Sequence, residues 1–410
     1  MTSPPPFHVV VAGGGVAALE GALALRDIAH DAVALTIVAP GDCFNFRPLA
    51  VATSFAAGHV GRLSLGAFAR DVDARLVEAA LRAVDPAERE IELDKGERLS
   101  YDALLVATGA RPEVQMPGAL TWFDETDPDA LGGLLRDVED GYSHRVVFVV
   151  PPGSGWPLPL YELALMTARQ VRGVGVDDAE IILVTPEAAP LSIFGPRASA
   201  AVASELEDAG VTLRTGAWAE THPDRRGTLV LRPGGEQLSA DRVVTLPRLV
   251  GRRIEGLPAN RNGFLPVDPH ARVLGVERVW AAGDGTAFPV KQGGVAAQQA
   301  DAAAQDIAAA AGLDIEPQPL DPVLRGTLLT GDKPWHLRWA AGEGDGLADR
   351  RPLWWPPTKV AGRHLSPYLA AHAEAPAGLS VAVPLSAGDD ATFAESDVVP
   401  FPGAPPTARA

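Results

Sequence analysis

The sequence contains a single cysteine, Cys43, among 410 residues. One cysteine cannot form an intramolecular disulfide, which excludes both a structural disulfide and a catalytic cysteine pair. A lone thiol is typical of a reducing compartment. The nine histidines are dispersed, without Cys/His or HxxxH spacing, so we predict no metal site.

Basic residues and long apolar runs are also scarce. The 35 Lys and Arg residues are outnumbered by 52 Asp and Glu, which gives a formal net charge of −17. This balance argues against nucleic acid as a partner and against electrostatic docking to an anionic membrane. No apolar run approaches the roughly 18 residues of a transmembrane helix, and no signal peptide is predicted. We expect a cytoplasmic protein, with peripheral membrane contact left open but not favoured.

The N-terminal stretch carries the strongest motif. An apolar run, Val9–Val11, leads into Gly13-x-Gly15-x-x-Ala18 and then into an alanine-rich helix. Gly13 suits the tight turn, Gly15 lets the backbone approach a pyrophosphate, and Ala18 keeps the helix close to the strand. The helix N-terminus offers free amides to the phosphates. The context of strand, glycine turn and helix predicts a dinucleotide-binding fold.

The second predicted strand, residues 33–38, departs from this fingerprint at its end. An acidic residue usually follows there and binds the ribose, but this chain has Ala39. Asp42 in the next loop is a candidate to reach back and replace it. Arg47 in that loop either contacts phosphate or adenine or is a solvated loop residue. Cys43 is read as a small buried residue rather than a reactive thiol.

Short strands are predicted from Arg75 to Ala83 and from Arg89 to Leu93, with Asp94–Gly96 as a hairpin turn. A buried parallel strand then ends in Ala-Thr-Gly, at Thr108 and Gly109. The following Arg-Pro forces the chain out of the sheet, because proline lacks the amide hydrogen that a sheet needs.

A second strand–loop–helix unit begins at residue 145, where a nicotinamide dinucleotide is expected. Its glycine motif, Gly153-x-Gly155, is damaged, since Trp156 is bulky and Leu158 replaces the third small residue. Two prolines also interrupt the start of the helix. An acidic residue, Glu187, follows the next strand but is displaced. Either this half binds NAD(P)H, or it is a vestigial Rossmann scaffold.

The chain then returns to the first unit. The segment 279–285 is predicted to be a short strand ending in Gly-Asp, and Asp284 at a strand end can bind a ribityl or phosphate-linked hydroxyl. Lys291 and Gln292 precede a long helix predicted over 293–311. The amides of that helix and the Lys291 cation would stabilise negative charge on a reduced flavin. An isolated lysine is otherwise a solvated surface residue.

The C-terminal hundred residues differ in composition. Four of the eight tryptophans lie between Trp335 and Trp355. We favour a packing or dimer surface for them, with a flavin cover or an apolar acceptor site as the alternative. From Glu374 the chain is rich in Pro, Ala, Gly and Ser, which predicts a loosely held tail.

Three motifs in order, GxGxxA, ATGARP and AAGD before a helix, resemble the pyridine nucleotide-disulfide oxidoreductase superfamily. The continuation Pro289-x-Lys291-Gln292-Gly293 is most similar to its sulfide:quinone oxidoreductase and type II NADH dehydrogenase branch. The resemblance implies bound FAD and an α/β fold in which an FAD domain is split around an NAD(P)-like domain. The redox cysteine pair of the disulfide reductases and sulfide oxidisers has no counterpart here.

We therefore predict two Rossmann-like domains and a small C-terminal segment. The predicted divisions are 1–115 and 241–320 (FAD-binding), 116–240 (NAD(P)-binding-like), 321–375 (aromatic-rich segment) and 376–410 (flexible tail). The predicted cofactor-binding residues are Gly13, Gly14, Gly15, Ala18, Arg47, Thr108, Gly109, Asp284, Lys291 and Gln292.

The leading hypothesis is an FAD-dependent oxidoreductase that takes electrons from a small donor, with NAD(P)H as one candidate. The electrons pass to a quinone-like or other small acceptor, with Lys291 as the catalytic candidate. The alternative is an FAD-binding protein without turnover, acting as a redox sensor or interaction partner. Single-thiol chemistry at Cys43 is the least favoured hypothesis. A homodimer is left open.

Overall fold

A computed structural model describes residues 6–55, 57, 60–123 and 128–372, and the predicted tail over 376–410 lies outside these ranges. The strands are β1 Phe7–Ala12, β2 Val33–Ala39, β3 Cys43–Asn45, β4 Arg62–Ser64, β5 Ala74–Glu78, β6 Leu81–Asp85, β7 Glu90–Leu93, β8 Arg98–Ser100, β9 Ala103–Val106, β10 Ala110–Glu113, β11 Leu120–Thr121, β12 Arg145–Val149, β13 Glu180–Val184, β14 Val211–Arg214, β15 Trp218–Thr221, β16 Thr228–Arg232, β17 Gln237–Ser239, β18 Arg242–Thr245, β19 Arg248–Gly251, β20 Val279–Ala281, β21 Val323–Leu328, β22 Trp335–Ala340 and β23 Leu347–Asp349. The helices are α1 Val16–Ala29, α2 Ala50–Ser54, α3 Leu65–Asp71, α4 Pro128–Glu139, α5 Leu158–Gly173, α6 Pro196–Asp208, α7 Gly293–Ala310 and α8 Leu365–His372.

The first sheet is parallel, with strand order β20-β9-β1-β2-β5. The side chains of β1 alternate between two cores. Val9 and Val11 pack in the core that contains α1 and α7, whereas Val10 and Ala12 pack with the antiparallel β6-β7-β8 sheet. Because both faces are covered, an uninterrupted apolar strand is what this position requires.

The predicted strand from Arg75 to Ala83 is in fact two strands. Its first part, β5, extends the parallel sheet, and its second part, β6, forms a hairpin with β7. The break lies at Ala79 and Ala80, whose amides donate to the carbonyl of Ala39 (3.0 Å) and to the Asp94 side chain (3.1 Å). The predicted hairpin turn is confirmed, with Gly96 at a φ of +83°.

The second sheet is also parallel, with order β11-β18-β12-β13-β14. Helices α4, α5 and α6 contribute to its main core. β18 pairs with β12, so the chain leaves the second sheet only after Thr245, past the predicted division at residue 241. The fold class, two Rossmann-like α/β units, is confirmed.

The C-terminal segment contacts both units. The antiparallel β21-β22-β23 sheet packs on the second core, and α8 packs on α1. Glu20 of α1 is fully buried and accepts the amides of His364 (2.8 Å) and Leu365 (2.7 Å), so its carboxyl group caps α8.

The tryptophans of this segment have divided roles. Trp335 and Trp339 pack against the second core, and Trp354 is buried with its indole N–H donating to the carbonyl of Thr358 (2.9 Å). Trp355 is exposed. The interpretation as packing residues therefore holds for three of the four tryptophans in this segment.

Candidate functional site

The predicted FAD motifs meet at one edge of the first sheet. Strands β1, β9 and β20 are parallel neighbours, so the segments that follow them lie side by side. Gly109, after β9, and Gly285, after β20, approach closely, since a Cβ atom at Gly285 would lie 3.1 Å from the carbonyl oxygen of Gly109. A ligand crevice is expected where strand order reverses, which here is beside β1.

Gly13 forms the tight turn after β1. Its φ is +146°, and a Cβ atom there would lie only 2.2 Å from the carbonyl oxygen of Ala107. Its amide donates to the carbonyl of Val38 (2.8 Å) on the neighbouring strand. Gly14 is also confined, because a Cβ atom would lie 2.9 Å from the Leu65 side chain. Gly13 therefore requires glycine, whereas a side chain at Gly14 would require the Leu65 side chain to move.

Gly15 differs, because it faces open space. It precedes α1 with a φ of −99°, and no atom lies within 4 Å of a Cβ atom placed there. No side chain caps this helix, and Ala18 is buried one turn further on. The first amides of α1 therefore face a cradle that a side chain would fill. This arrangement fits the diphosphate of FAD.

Asp284 and Lys291 are a pair of half-buried titratable residues, and the charge of each affects the pKa of the other. Burial raises the pKa of Asp284, and the cations of Lys291 and Arg47 oppose that shift. Burial lowers the pKa of Lys291 to about 8, against the opposing effect of Asp284. The Lys291 ammonium donates to the carbonyl of Thr286 (2.5 Å) and lies 3.9 Å from the ring centroid of Phe264.

Gln292 is held by the protein itself. Its side-chain oxygen accepts the amide of Val295 (2.8 Å) at the start of α7, and its side-chain nitrogen donates to the carbonyl of Arg325 (2.9 Å). The structure therefore shows a helix cap at this predicted cofactor residue. Its contact with the cofactor remains a prediction, as do those of Thr108 and Gly109. Arg47 is exposed in the turn that follows β3.

A cavity of about 660 Å³ lies between the two units and brings several of these residues together. The predicted site residues on its wall are Arg47, Asp284, Lys291 and Gln292. Cys43 is not among the lining residues. Aromatic and proline side chains from both units form much of the rest of the wall: Pro48, Pro112, Trp122, Phe123, Pro151, Pro152, Trp156, Pro159, Pro247, Phe264, Phe288 and Pro289. A largely apolar cavity with a few charged groups is typical of a small-molecule site.

A second charged pair on the wall, Glu162 and Lys359, escaped sequence analysis. The Lys359 ammonium lies 2.6 and 2.7 Å from the two carboxylate oxygens of Glu162, and both side chains are almost fully buried. Burial raises the pKa of Glu162, whereas Lys359 and the amide of Leu329 oppose the shift. The sequence signals were a glutamate within an apolar helix and a lysine within a Trp-Pro-rich stretch, but nothing local pairs them.

The loop between β12 and α5 is out of register with the first fingerprint. In the first sheet Ala12 pairs with Val38, and the amide of the next residue, Gly13, donates to the Val38 carbonyl. In the second sheet Val149 pairs with Val184, and the amide of the next residue, Val150, donates to the Val184 carbonyl. Val150 therefore occupies the position of Gly13, and Pro152 that of Gly15. Helix α1 begins three residues after Gly13, whereas α5 begins eight residues after Val150. The predicted motif Gly153-x-Gly155 lies in the inserted residues and is not the equivalent of the first fingerprint.

This inserted loop packs against the first unit instead of facing open space. A Cβ atom at Gly155 would lie 2.7 Å from Cγ of Lys291, and the Lys291 amide donates to the Gly155 carbonyl (3.2 Å). Pro159 has no amide hydrogen to offer at the start of α5, and the amide of Leu160 bonds to Pro157 (2.9 Å). The start of α5 therefore lacks the open amides of α1.

Glu187, the displaced acidic residue, is also engaged within the protein. It accepts hydrogen bonds from the Tyr161 hydroxyl (2.7 Å), the Thr185 hydroxyl (3.1 Å) and the Ser192 amide (3.2 Å). A ribose hydroxyl would have to compete with these three donors for its carboxylate.

Residues 7–306 match the model of a family described as pyridine nucleotide-disulphide oxidoreductase. The chain belongs to this family. A NADH dehydrogenase-like protein of Mycobacterium tuberculosis H37Rv is 30% identical over 292 residues, which cover 68% of this chain and 72% of that protein. The predicted resemblance to the superfamily is therefore confirmed.

Solved structures show the same fold. The sulfide:quinone oxidoreductase of Aquifex aeolicus superposes with a TM-score of 0.76 at 16% identity, over 84% of this chain and 86% of that one. A ferredoxin reductase of Rhodopseudomonas palustris gives 0.60 at 20% identity, over 82% and 83%. At these identities the likeness concerns the fold alone.

Family membership fixes the general activity. The protein is an FAD-dependent oxidoreductase, and its family binds FAD and uses pyridine nucleotides. The open cradle at Gly15 agrees with this cofactor. Within the described ranges, no helix is both long and apolar enough to cross a lipid bilayer.

Proposed function

We propose that this flavin enzyme takes electrons from a small donor and passes them to a quinone-like or other small apolar acceptor, without a cysteine relay. The observation that carries the proposal is the cavity, whose wall includes twelve aromatic and proline side chains together with Asp284 and Lys291 beside the predicted flavin site. The sole cysteine lies outside its wall. The flat faces of these side chains suit stacking against a planar acceptor such as a quinone ring.

The chain's own residues have distinct roles in this proposal. FAD, when bound by the first fold, supplies hydride and single-electron transfer. The cradle at Gly15 and the first amides of α1 would hold its diphosphate, and Asp284 would contact the ribityl side. Lys291 contributes positive charge at the flavin edge, where its partial burial reduces screening by water. The aromatic wall excludes water and orients the small acceptor.

We expect NAD(P)H to reduce the bound flavin. Anaerobic addition of NADH, and separately of NADPH, to the FAD-loaded protein should bleach the visible flavin band at stoichiometric nucleotide. A soluble quinone added afterwards should restore the band. Dithionite is the control that shows the flavin can be reduced. A band that dithionite bleaches but neither nucleotide affects would contradict NAD(P)H as the donor.

The alternative is an FAD-binding protein without turnover. The register shift that places Pro152 at the position of Gly15 favours it, because the second unit lacks the open phosphate cradle of the first. A redox-dependent change of partner or oligomeric state, without turnover of any donor, would support this alternative. Steady turnover would eliminate it. The division into FAD-binding and NAD(P)-like domains, a homodimer and a cytoplasmic location likewise remain predictions.

Replacement of Lys291 should change the pH profile of flavin reduction. Since the pKa of Lys291 is lowered to about 8, its cation is present below that pH and is lost above it. We expect wild-type rates to fall as pH rises through about 8. In Lys291→Met this decrease of the rate with rising pH should be absent, and the rate at pH 7 should be lower by on the order of tenfold.

Stopped-flow rates measured from pH 6 to about pH 10 would reveal this difference. Lys95→Met is the matched control, because Lys95 is an exposed lysine in the hairpin turn after β7 and does not line the cavity. An unchanged pH profile in Lys291→Met would remove Lys291 from the flavin edge.

A further inference from the structure

An exposed groove of about 520 Å³ beside the cavity is lined with arginines. They come from β10, from β19 and the residues after it, and from the turn before Phe264: Arg111, Arg248, Arg252, Arg253 and Arg261. All five are exposed. In a chain of net charge −17, such a concentration of positive charge runs against the overall composition. It therefore marks a place where an anion is attracted to an otherwise repelling protein.

The positive charge of this groove is barely neutralised by the protein. Glu113 is the one acidic residue on its wall, and it pairs with Arg111 (2.8 Å). Arg248 donates to the side-chain oxygen of Asn262 (2.8 Å), and Arg253 donates to the carbonyl of Arg261 (3.1 Å). Over the residues that the structure describes, only the first of the five arginines makes an ion pair with a carboxylate.

The floor of the groove is closely packed backbone. Strands β10 and β19 are antiparallel, with Glu113 opposite Arg248. A Cβ atom at Gly251 would lie 2.1 Å from the carbonyl oxygen of Gly263, and the amide of Gly251 donates to the carbonyl of Asn262 (2.9 Å). This close approach fixes the backbone from which the arginines project. It holds the charges near one another in spite of their mutual repulsion.

The groove adjoins the cavity. Arg248 and Asn262 line both, so a ligand that extends from the cavity past these two residues reaches the arginines. The loop before α5 does not offer the phosphate cradle expected there, because Pro152 takes the place of Gly15 and Lys291 covers Gly155. A phosphorylated ligand in the cavity therefore requires another site for its phosphates.

We propose that the arginine groove binds the phosphates of NAD(P)H, with the nicotinamide end directed into the cavity. The inference rests on the proposed function in that NAD(P)H is the donor. Guanidinium groups bind phosphate oxygens in pairs of parallel hydrogen bonds, which suits a cluster of arginines. A small ligand is favoured over an acidic protein, because the groove adjoins a small-molecule cavity and shares Arg248 and Asn262 with it.

The test measures binding directly, by calorimetric titration of the oxidised FAD-loaded enzyme with NADPH, NADH and inorganic pyrophosphate. In Arg252→Glu and in Arg261→Glu, the dissociation constant for each should rise by about tenfold or more. Pyrophosphate should compete with NADPH in the wild type. Arg226→Glu is the matched control, since Arg226 is an exposed arginine outside the groove and the cavity, and the charge change is identical.

Three results from the binding titrations would overturn the inference. They are unchanged NADPH affinity in both groove variants, an equal loss in Arg226→Glu, and failure of pyrophosphate to bind the wild type. Loss of binding to an acidic carrier protein with NADPH affinity intact would also overturn it, and would favour protein docking.

Measuring both NADPH binding and flavin reduction distinguishes a failure of this inference from a failure of the proposed function. Normal flavin reduction by NADPH in both variants, with unchanged affinity, rejects the groove but keeps the donor. Arginine-dependent pyrophosphate and NADPH binding without flavin reduction rejects the donor but supports the groove as the phosphate site.

Discussion

Gly15→Leu should yield a folded protein that does not retain FAD. The backbone at this position has an ordinary φ of −99°, and no protein atom lies within 4 Å of a new Cβ atom, so the fold tolerates the side chain. The added side chain would occupy the cradle at the first turn of α1. We expect FAD affinity to fall at least about 100-fold, on the order of 3 kcal/mol. The flavin-to-protein ratio after gel filtration measures the loss.

Gly173→Leu is the matched control, because Gly173 is an exposed glycine with open space around it at the end of α5. It should keep the wild-type flavin ratio. Circular dichroism of the two apo proteins should coincide with that of wild-type apo protein. Full flavin content in Gly15→Leu would show that the diphosphate does not lie over α1. Gly13→Leu is less informative, because a clash with Ala107 would disturb the turn itself.

The first fold was predictable because its signals are local. An apolar strand, a glycine turn and an alanine-rich helix are contiguous in the sequence, and the structure places β1 and α1 around Gly13 and Gly15. Parallel strands then bring Asp284 to the same edge from far along the chain, as the order of motifs predicted. Each of these inferences depends on a pattern of a few residues and on a general rule of sheet topology.

The second fold shows where such reasoning stops. Gly153-x-Gly155 has the letters of a fingerprint, but strand register decides which residue stands at the turn, and register depends on hydrogen bonds to β13. The predicted single strand over 75–83 likewise divides between two sheets because of bonds to Ala39 and Asp94. Propensity and spacing carry no information about these distant partners.

The Glu162–Lys359 pair was beyond sequence analysis for the same reason, and its removal has the second large expected effect. Lys359→Met leaves the fully buried carboxylate of Glu162 without its counter-charge. The amide of Leu329 remains as a donor (2.8 Å), which is insufficient compensation for a buried charge. We expect the free energy of unfolding to fall by about 3–5 kcal/mol near neutral pH, measured by urea denaturation. Arg75→Met, which breaks the exposed pair with Glu97, should cost less than about 1 kcal/mol.

The pH dependence identifies the buried carboxylate as the cause. In Lys359→Met the native state retains a proton on Glu162 above the ordinary glutamate pKa of 4.5, because burial raises that pKa and the opposing cation is gone. The unfolded chain has released this proton, so the variant must lose stability relative to wild type as pH rises above about 4.5. The double variant Glu162→Met/Lys359→Met has no charge left to bury, and it should recover most of the loss at every pH. A deficit in Lys359→Met that is equal at pH 5 and pH 8, or that persists in the double variant, would instead assign the loss to the packing of the Lys359 side chain.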